Sequence, residues 1–245
     1  MEPAQAGQRG GILLAPGGPR KPRHAHAYLY NAAMQAPPTW PDRLIAALDQ
    51  GLRALGAPAT AARPSPAATV AEPDLTSDER RQSAALMRVN HAGEIAAQAL
   101  YTGQALVARS AETRQLLAAA ALEERDHLAW CAERLDELGG RPSLLDPFWY
   151  AGSFCIGVMA GLADDARSLG FVQETERQVA AHLNDHLQRL PRQDGRSAAI
   201  LARMAEDEAH HGTTAGLAGG AELPAPIRRC MAFGGEILRR IALIV

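Results

Sequence analysis

Glu124-Arg125-Asp126-His127 and Glu208-Ala209-His210-His211 are the two stretches on which the reading of this 245-residue chain turns. Each is a Glu-x-x-His motif, which on a helix puts a carboxylate and an imidazole one turn apart on one face. Two such motifs alone say little in an α-helical protein. Their setting says more. Glu94 precedes Glu124 by almost the same interval as Glu176 precedes Glu208, the two intervals differing by only two positions. The chain therefore reads as two copies of one unit, a glutamate followed by Glu-x-x-His, repeated at a nearly constant offset.

Helical geometry brings the copies together. Taking Ser110 as the first turn, Glu94 and Glu124 stand almost equally far before and after it in the chain. At about 1.5 Å of rise per residue, an antiparallel hairpin puts both at nearly the same height. A second hairpin turning near Arg192-Gln193 does the same for Glu176 and Glu208. Four carboxylates at one level of a four-helix bundle repel one another, and each costs several kcal/mol to desolvate. Two divalent cations supply +4 against −4, and one imidazole per cation completes a set known from di-iron and di-manganese carboxylate proteins.

Outward from the motifs the chain reads as all-α. Thr76 and Glu79 have capping-box spacing ahead of a long stretch without proline. Ser110 caps a second helix, stopped by Gly139-Gly140-Arg141-Pro142. A third helix is expected from about Pro147, a fourth from about Gly170 to Leu190, a fifth from about Ser197 to Gly219, and a sixth from about Pro226. Before them, Leu44, Ile45, Leu48, Leu52 and Leu55 define one face of a short amphipathic helix, about 41–55. Residues 56–75 read as a Pro/Ala linker, so 1–75 are expected as a poorly ordered extension of a domain at 76–245. Residues 1–33 are basic and rich in Gly and Pro, with Ile12-Leu13-Leu14 too short for a signal core. They read as a tail, or as sequence upstream of a true start at Met34.

Composition narrows the class. Apolar residues reach 47% but aromatics only 4%, so the core must be aliphatic. A net charge of −2, with arginines spread along the chain, argues against a nucleic-acid protein. Cys131, Cys155 and Cys230 show no CxxC spacing and point to free thiols in a reducing compartment. No dinucleotide glycine fingerprint is present.

The residues around the motifs resemble the demethoxyubiquinone hydroxylase family over roughly 76–245. The resemblance rests on Arg88-Val89-Asn90-His91-Ala92-Gly93-Glu94, Glu123-Glu124-Arg125-Asp126-His127 and Glu206-Asp207-Glu208-Ala209-His210-His211. Glu174-Thr175-Glu176-Arg177 and Ala180-Ala181-His182-Leu183-Asn184 add to it. It implies a ferritin-like four-helix bundle with additional apolar crossover and C-terminal helices. It also implies two iron ions held by Glu94, Glu124, His127, Glu176, Glu208 and His211, with Glu124 and Glu176 each a candidate to bridge them and the choice between the two left open. The implied reaction is O2-dependent hydroxylation of a demethoxyubiquinol-type ring, with electrons from an external reductant, NADH or the quinol itself.

Neighbouring residues are read more plainly. Glu123, Glu174 and Glu206 are expected at the surface or around the ligands, because adjacent helix positions point about 100° apart. Asp126 and Asp207 are candidates to orient a ligand histidine. His91, one turn before Glu94, is a candidate to hydrogen-bond near the site, and His182 has either a structural or a functional place. His24, His26 and His186 are read as solvated.

Phe148–Ala163 runs without a charge and contains Gly152, Gly157 and Gly161. It is read first as a core crossover helix and second as the wall of a lipid site. Ile227–Val245 combines Arg228, Arg229, Arg239 and Arg240 with Ile237, Leu238, Ile241 and Leu243, a pattern suited to an anionic membrane surface. The expectation is a peripheral enzyme on the cytoplasmic side of the cell membrane that takes a polyprenyl quinol, as a homodimer or within a quinone-biosynthetic complex. The rivals are an iron store or ferroxidase, and a non-catalytic lipid-binding partner of such a complex.

Overall fold

The computed structural model describes residues 38–56 and 59–245. The readings of residues 1–33, of Met34 as a start, and of His24 and His26 lie outside the described residues. Trp40–Val245 form one compact unit. Among the described residues there are seven helices: α1 (Trp40–Gly56), α2 (Ser77–Val107), α3 (Ala111–Glu137), α4 (Asp146–Ala163), α5 (Asp165–Arg189), α6 (Gly195–Leu217) and α7 (Ala225–Ala242). The all-α, ferritin-like reading holds. Helices α2, α3, α5 and α6 form the bundle, α4 crosses between its two hairpins along α2, and α7 lies against α2 and α5.

Short polar caps fix where the bundle helices begin. Thr76 accepts from the Glu79 amide, and Glu79 accepts in return from the Thr76 amide at 2.9 Å. Ser110 and Asp194 cap α3 and α6 by accepting from Thr113 and Ser197. Gly139 and Gly219 follow those helices at φ 67° and 98°, where a side chain would be strained.

Two differences from the sequence reading have physical reasons. Helix α5 starts at Asp165, ahead of the expected Gly170, because Asp164 breaks the α4 direction and caps the new helix at Arg167. Gly170 is inside the helix because a side chain there would collide with the Ala221 carbonyl. The crossover α4 is only half a core element. A Cβ on Gly157 would strike the Leu100 carbonyl, and one on Gly103 would strike the Phe154 carbonyl, so the two backbones touch. Its opposite side leaves Phe148, Ile156, Met159 and Leu162 exposed.

The expected linker is irregular but not loose. Its Ala67 and Leu75 are buried in the core, so residues 59–76 form a strap across α3 and α6. Arg134, buried on α3, holds the strap and the start of α6 together. Its guanidinium lies 2.9 Å from Asp194, 2.7 Å from Glu137 and 3.0 Å from Glu72, and its Nε donates to Ser197 at 3.0 Å. Arg134→Met leaves Asp194 buried without its cation. Urea unfolding should show a loss of about 3–5 kcal/mol, the usual cost of breaking one side of a buried pair.

Beside a small cluster of Val89, Ala92 and Ala242 under α7, the bundle core has two larger apolar layers. One holds Met87, Trp130, Leu135, Leu183, Ile200, Leu201 and Met204; the other holds Leu100, Tyr101, Leu117, Leu169, Val172 and Ala215. On all four bundle helices the Glu/His residues fall between these layers. A polar level is thus sealed above and below by buried apolar side chains.

Candidate metal centre

Glu94 on α2, Glu124 and His127 on α3, Glu176 on α5, and Glu208 and His211 on α6 are all buried and meet at this level. Their ligand atoms form two groups, each within 4.8 Å: Glu94, Glu124, His127 and Glu208, and then Glu124, Glu176, Glu208 and His211. The groups share Glu124 and Glu208. The resemblance made Glu176 a candidate to bridge, but here Glu176 belongs to one group only. The glutamates common to both come from the two Glu-x-x-His helices, which face each other across the centre.

The electrostatics are those of a site short of positive charge. Burial pushes the Glu94 carboxyl well above its ordinary range, and the Glu124 charge pushes it further. Burial raises Glu176 likewise, with Glu208 and Glu94 adding to it. Glu124 goes the other way: against burial, hydrogen bonds with His127 and His211 hold it low. Burial opposes charging of the histidines, yet Asp207, Glu124, Glu208 and Glu94 lift His127 well above normal, and Glu124 and Glu208 lift His211 to about 10. One oxygen each of Glu94, Glu124, Glu176 and Glu208 is buried with no hydrogen-bond partner. Acceptors orphaned in this way are rare unless a cation or water takes them. The donor set, four carboxylates and two imidazoles, fits two divalent cations.

The family described as "Ubiquinone biosynthesis protein COQ7" matches residues 81–241, which hold all six side chains. The 3-demethoxyubiquinol 3-hydroxylase of Nitrosomonas europaea is 55% identical over 201 residues, 82% of this chain and 97% of that protein. Its namesake in Bordetella parapertussis is 56% identical over 202 residues, 82% of this chain and 91% of the other. A third, from Janthinobacterium sp., is 58% identical over 185 residues, covering 76% and 89%. The chain belongs to the COQ7 family.

In this COQ7-family chain the run Arg88–Glu94 has a mechanical reading, each polar residue tying α2 to a different helix. Arg88 donates to the carbonyls of Ala242 and Leu243 at 2.7 and 2.6 Å, clamping the end of α7. Asn90 lies 2.9 Å from His186 Nδ1 on α5. His91 lies 3.3 Å from Asp146 at the start of α4, away from the ligand level. Glu94 then enters the centre. His186, read as solvated, is thus buried: its side of α5 is covered by α2, which composition could not indicate.

The ring around the ligands sorts itself by contact. Asp207 Oδ2 lies 3.0 Å from His127 Nε2, and Glu123 lies 3.3 Å from His211 Nε2. Asp126 touches neither histidine and binds Arg63 instead. Glu174 is buried against Arg177 and Gln178, and Glu206 is exposed. His182 lines a cavity. Arg63 escaped the sequence reading because an Ala/Pro stretch has no periodicity that would aim it at the site.

That cavity, of about 590 Å³, opens between α2, α4, α5 and α7. Its walls are apolar and include Leu100, Trp149, Ile156, Phe171, Val179 and Leu238. Gly93 and Ala97 flank Glu94 there, and Thr175 and Val179 flank Glu176. The cavity is therefore walled by the helix neighbours of Glu94 and Glu176, the two glutamates that each belong to one group only, while neither glutamate itself lines it.

Proposed function

We propose that this chain hydroxylates the ring of a demethoxyubiquinol-type polyprenyl quinol in ubiquinone biosynthesis, the activity for which its relatives are named. The observation that carries the reading is the juxtaposition of the buried Glu/His level with a large apolar cavity. A ferroxidase or iron store needs a polar route for ions, and a non-catalytic lipid binder has no use for six converging ligand side chains. Under this reading Glu94, Glu124, His127 and Glu208 would hold one iron and Glu124, Glu176, Glu208 and His211 the other. Iron bound there would supply the activation of O2; one oxygen atom of O2 goes to the ring and the other leaves as water, with two electrons from an external reductant, NADH or the quinol itself. The remaining tasks fall to the protein. Asp207 accepts from Nε2–H of His127, which leaves Nδ1 as the donor atom facing the carboxylates. Gly93, Ala97, Thr175 and Val179 shape a dry wall beside the centre, where the quinol ring is held and water excluded.

The test is direct. Iron-loaded protein with O2 and a reductant should hydroxylate a short-tailed demethoxyubiquinol, detected by a gain of one oxygen in product mass. Iron oxidation without ring hydroxylation would assign the ferroxidase role instead.

We place the enzyme at a membrane surface, on the cytoplasmic side, because its substrate is a lipid and its outer helices suit an interface. No helix among the described residues is long and apolar enough to cross a membrane. On α7 only Ala242 is buried, while Ile227, Phe233 and Ile237 are exposed alongside the arginines. The exposed side chains of α4, and Leu44, Ile45, Leu48 and Leu52 of α1, add to the apolar surface. Arg239 and Arg240 both pair with Glu236, so these three positions carry +1 together. Replacing both arginines by Glu makes that −3. At roughly 1 kcal/mol per near-surface charge, binding to anionic vesicles should weaken by several kcal/mol in flotation assays. Arg239 also lines the cavity, so it is in Arg240→Glu alone that turnover of a short-tailed soluble quinol should not change. Wild-type protein that never floats with vesicles, at any salt, would remove the membrane assignment.

A further inference from the structure

Arg63 lies outside the bundle, on the strap between α1 and α2, yet it reaches both histidines of the centre through their outer nitrogens. His127 turns Nδ1 toward Glu208, Glu124 and Glu94, at 3.1, 3.2 and 3.6 Å, and Nε2 toward Asp207. His211 turns Nδ1 toward Glu208 and Glu124, at 3.3 and 3.5 Å, and Nε2 toward Glu123. Both outer carboxylates meet one guanidinium: Arg63 Nη1 stands 2.8 Å from Asp207 and 3.7 Å from Glu123.

Arg63 is itself held on several sides. Its Nε donates to one oxygen of Asp126 at 2.6 Å, and the Ala62 amide donates to the other at 2.6 Å. The guanidinium sits 4.9 Å from the Trp130 ring centre, and the indole N–H of Trp130 donates to the Arg63 carbonyl at 3.4 Å. Trp130 in turn packs 5.4 Å from the His127 ring.

We propose that Arg63 is a positioning residue of the metal centre: by fixing Asp207 it sets the orientation and donor strength of His127, and its charge, 3.7 Å from Glu123, acts on the carboxylate that faces His211. The inference rests on the reading of these histidines as ligands. Outer carboxylates orient ligand imidazoles and raise their basicity, and losing such partners commonly costs about 10–100-fold in metal affinity. A guanidinium suits the task because its planar fork bonds Asp126 through Nε and Asp207 through Nη1 at fixed angles, which a lysine ammonium cannot. Without Arg63, Asp207 keeps His127 on one oxygen and Arg203, a half-exposed side chain, 2.7 Å from the other.

The experiment uses the full chain, stripped by chelator and titrated with Co(II), whose visible ligand-field bands report the coordination directly. Wild type should bind two Co(II) per chain. Arg63→Met should bind them about 10–100-fold more weakly, with altered band intensities at saturation, and Arg63→Lys should fall between. Arg196→Met is the control: Arg196 grips the same strap at the Val70 carbonyl, at 2.8 Å, but touches no residue of the centre. It should titrate as wild type. Unchanged affinity and spectrum in Arg63→Met overturn the proposal, as does an equal loss in Arg196→Met, which would make the strap a matter of general stability. Should Arg63→Met fail to fold, Arg63→Lys decides, and wild-type behaviour there overturns the proposal. A wild type that binds fewer than two ions overturns the centre itself, and this inference with it.

Discussion

Glu124→Ala is expected to lose both metal ions and all measurable hydroxylation, while Glu94→Ala and Glu176→Ala each keep close to one ion. The asymmetry follows from membership: Glu124 and Glu208 belong to both ligand groups, Glu94 and Glu176 to one apiece. Activity should fall in all of these variants, and in His211→Ala, by more than the roughly 100-fold that loss of an outer partner can cost. Metal analysis of iron-loaded protein separates the classes. In two of them stability should move in opposite directions with and without metal. Glu94 and Glu176 are buried beside like-charged neighbours, so under chelator Glu94→Ala and Glu176→Ala should unfold at higher urea than wild type, whereas Glu124→Ala and His211→Ala should not, because each removes one side of a buried carboxylate–imidazole contact. With iron present wild type should be more stable than Glu94→Ala and Glu176→Ala, because binding stabilises only a protein that keeps its ligands. Equal iron content in Glu94→Ala, Glu124→Ala and Glu176→Ala would contradict the shared-ligand assignment.

The height of those candidate ligands was legible because it depends on little more than helical rise and turn position. Ser110 really caps α3, so counting residues from it places Glu94 and Glu124 together. What lies across from a side chain was not legible. Asp126 and Asp207 looked equivalent in sequence, each immediately before a candidate ligand, yet only Asp207 reaches a histidine. Glu123 had a local context similar to that of Glu206; one faces His211 and the other solvent. Such distinctions depend on the rotation of two helices about their axes relative to one another, which packing decides. Arg63 was the least legible. Its contacts to Asp126 and Asp207 are distant in the chain and come from a stretch with no regular secondary structure. The crossover helix shows the same limit in another form. Its glycines announced close packing, but not that only one side would pack.

Gly93→Leu should make the protein more stable and the enzyme much slower. Gly93 sits inside α2, where glycine costs up to about 1 kcal/mol against a good helix former such as leucine. It is also on the cavity wall, and a Cβ built on it meets no atom within 4 Å. The isobutyl group therefore enters open space without straining the fold, and the melting temperature should rise. That space is the wall beside Glu94 against which we place the quinol ring. A displacement of about 1 Å from the reactive geometry can cost roughly 100-fold in rate, so turnover should drop by at least that much. Iron content should remain two per chain, since Glu94 keeps its place on the helix. A second variant guards against an indirect effect on that neighbouring ligand. Gly234 on α7 lines the same cavity, also with nothing within 4 Å of a Cβ, and is far along the chain from every ligand. Gly234→Leu should slow turnover of a long-tailed quinol while leaving iron content unchanged. If both variants retain full turnover with normal iron, the quinol does not use this cavity, and the ring must approach Glu94 and Glu176 from another side.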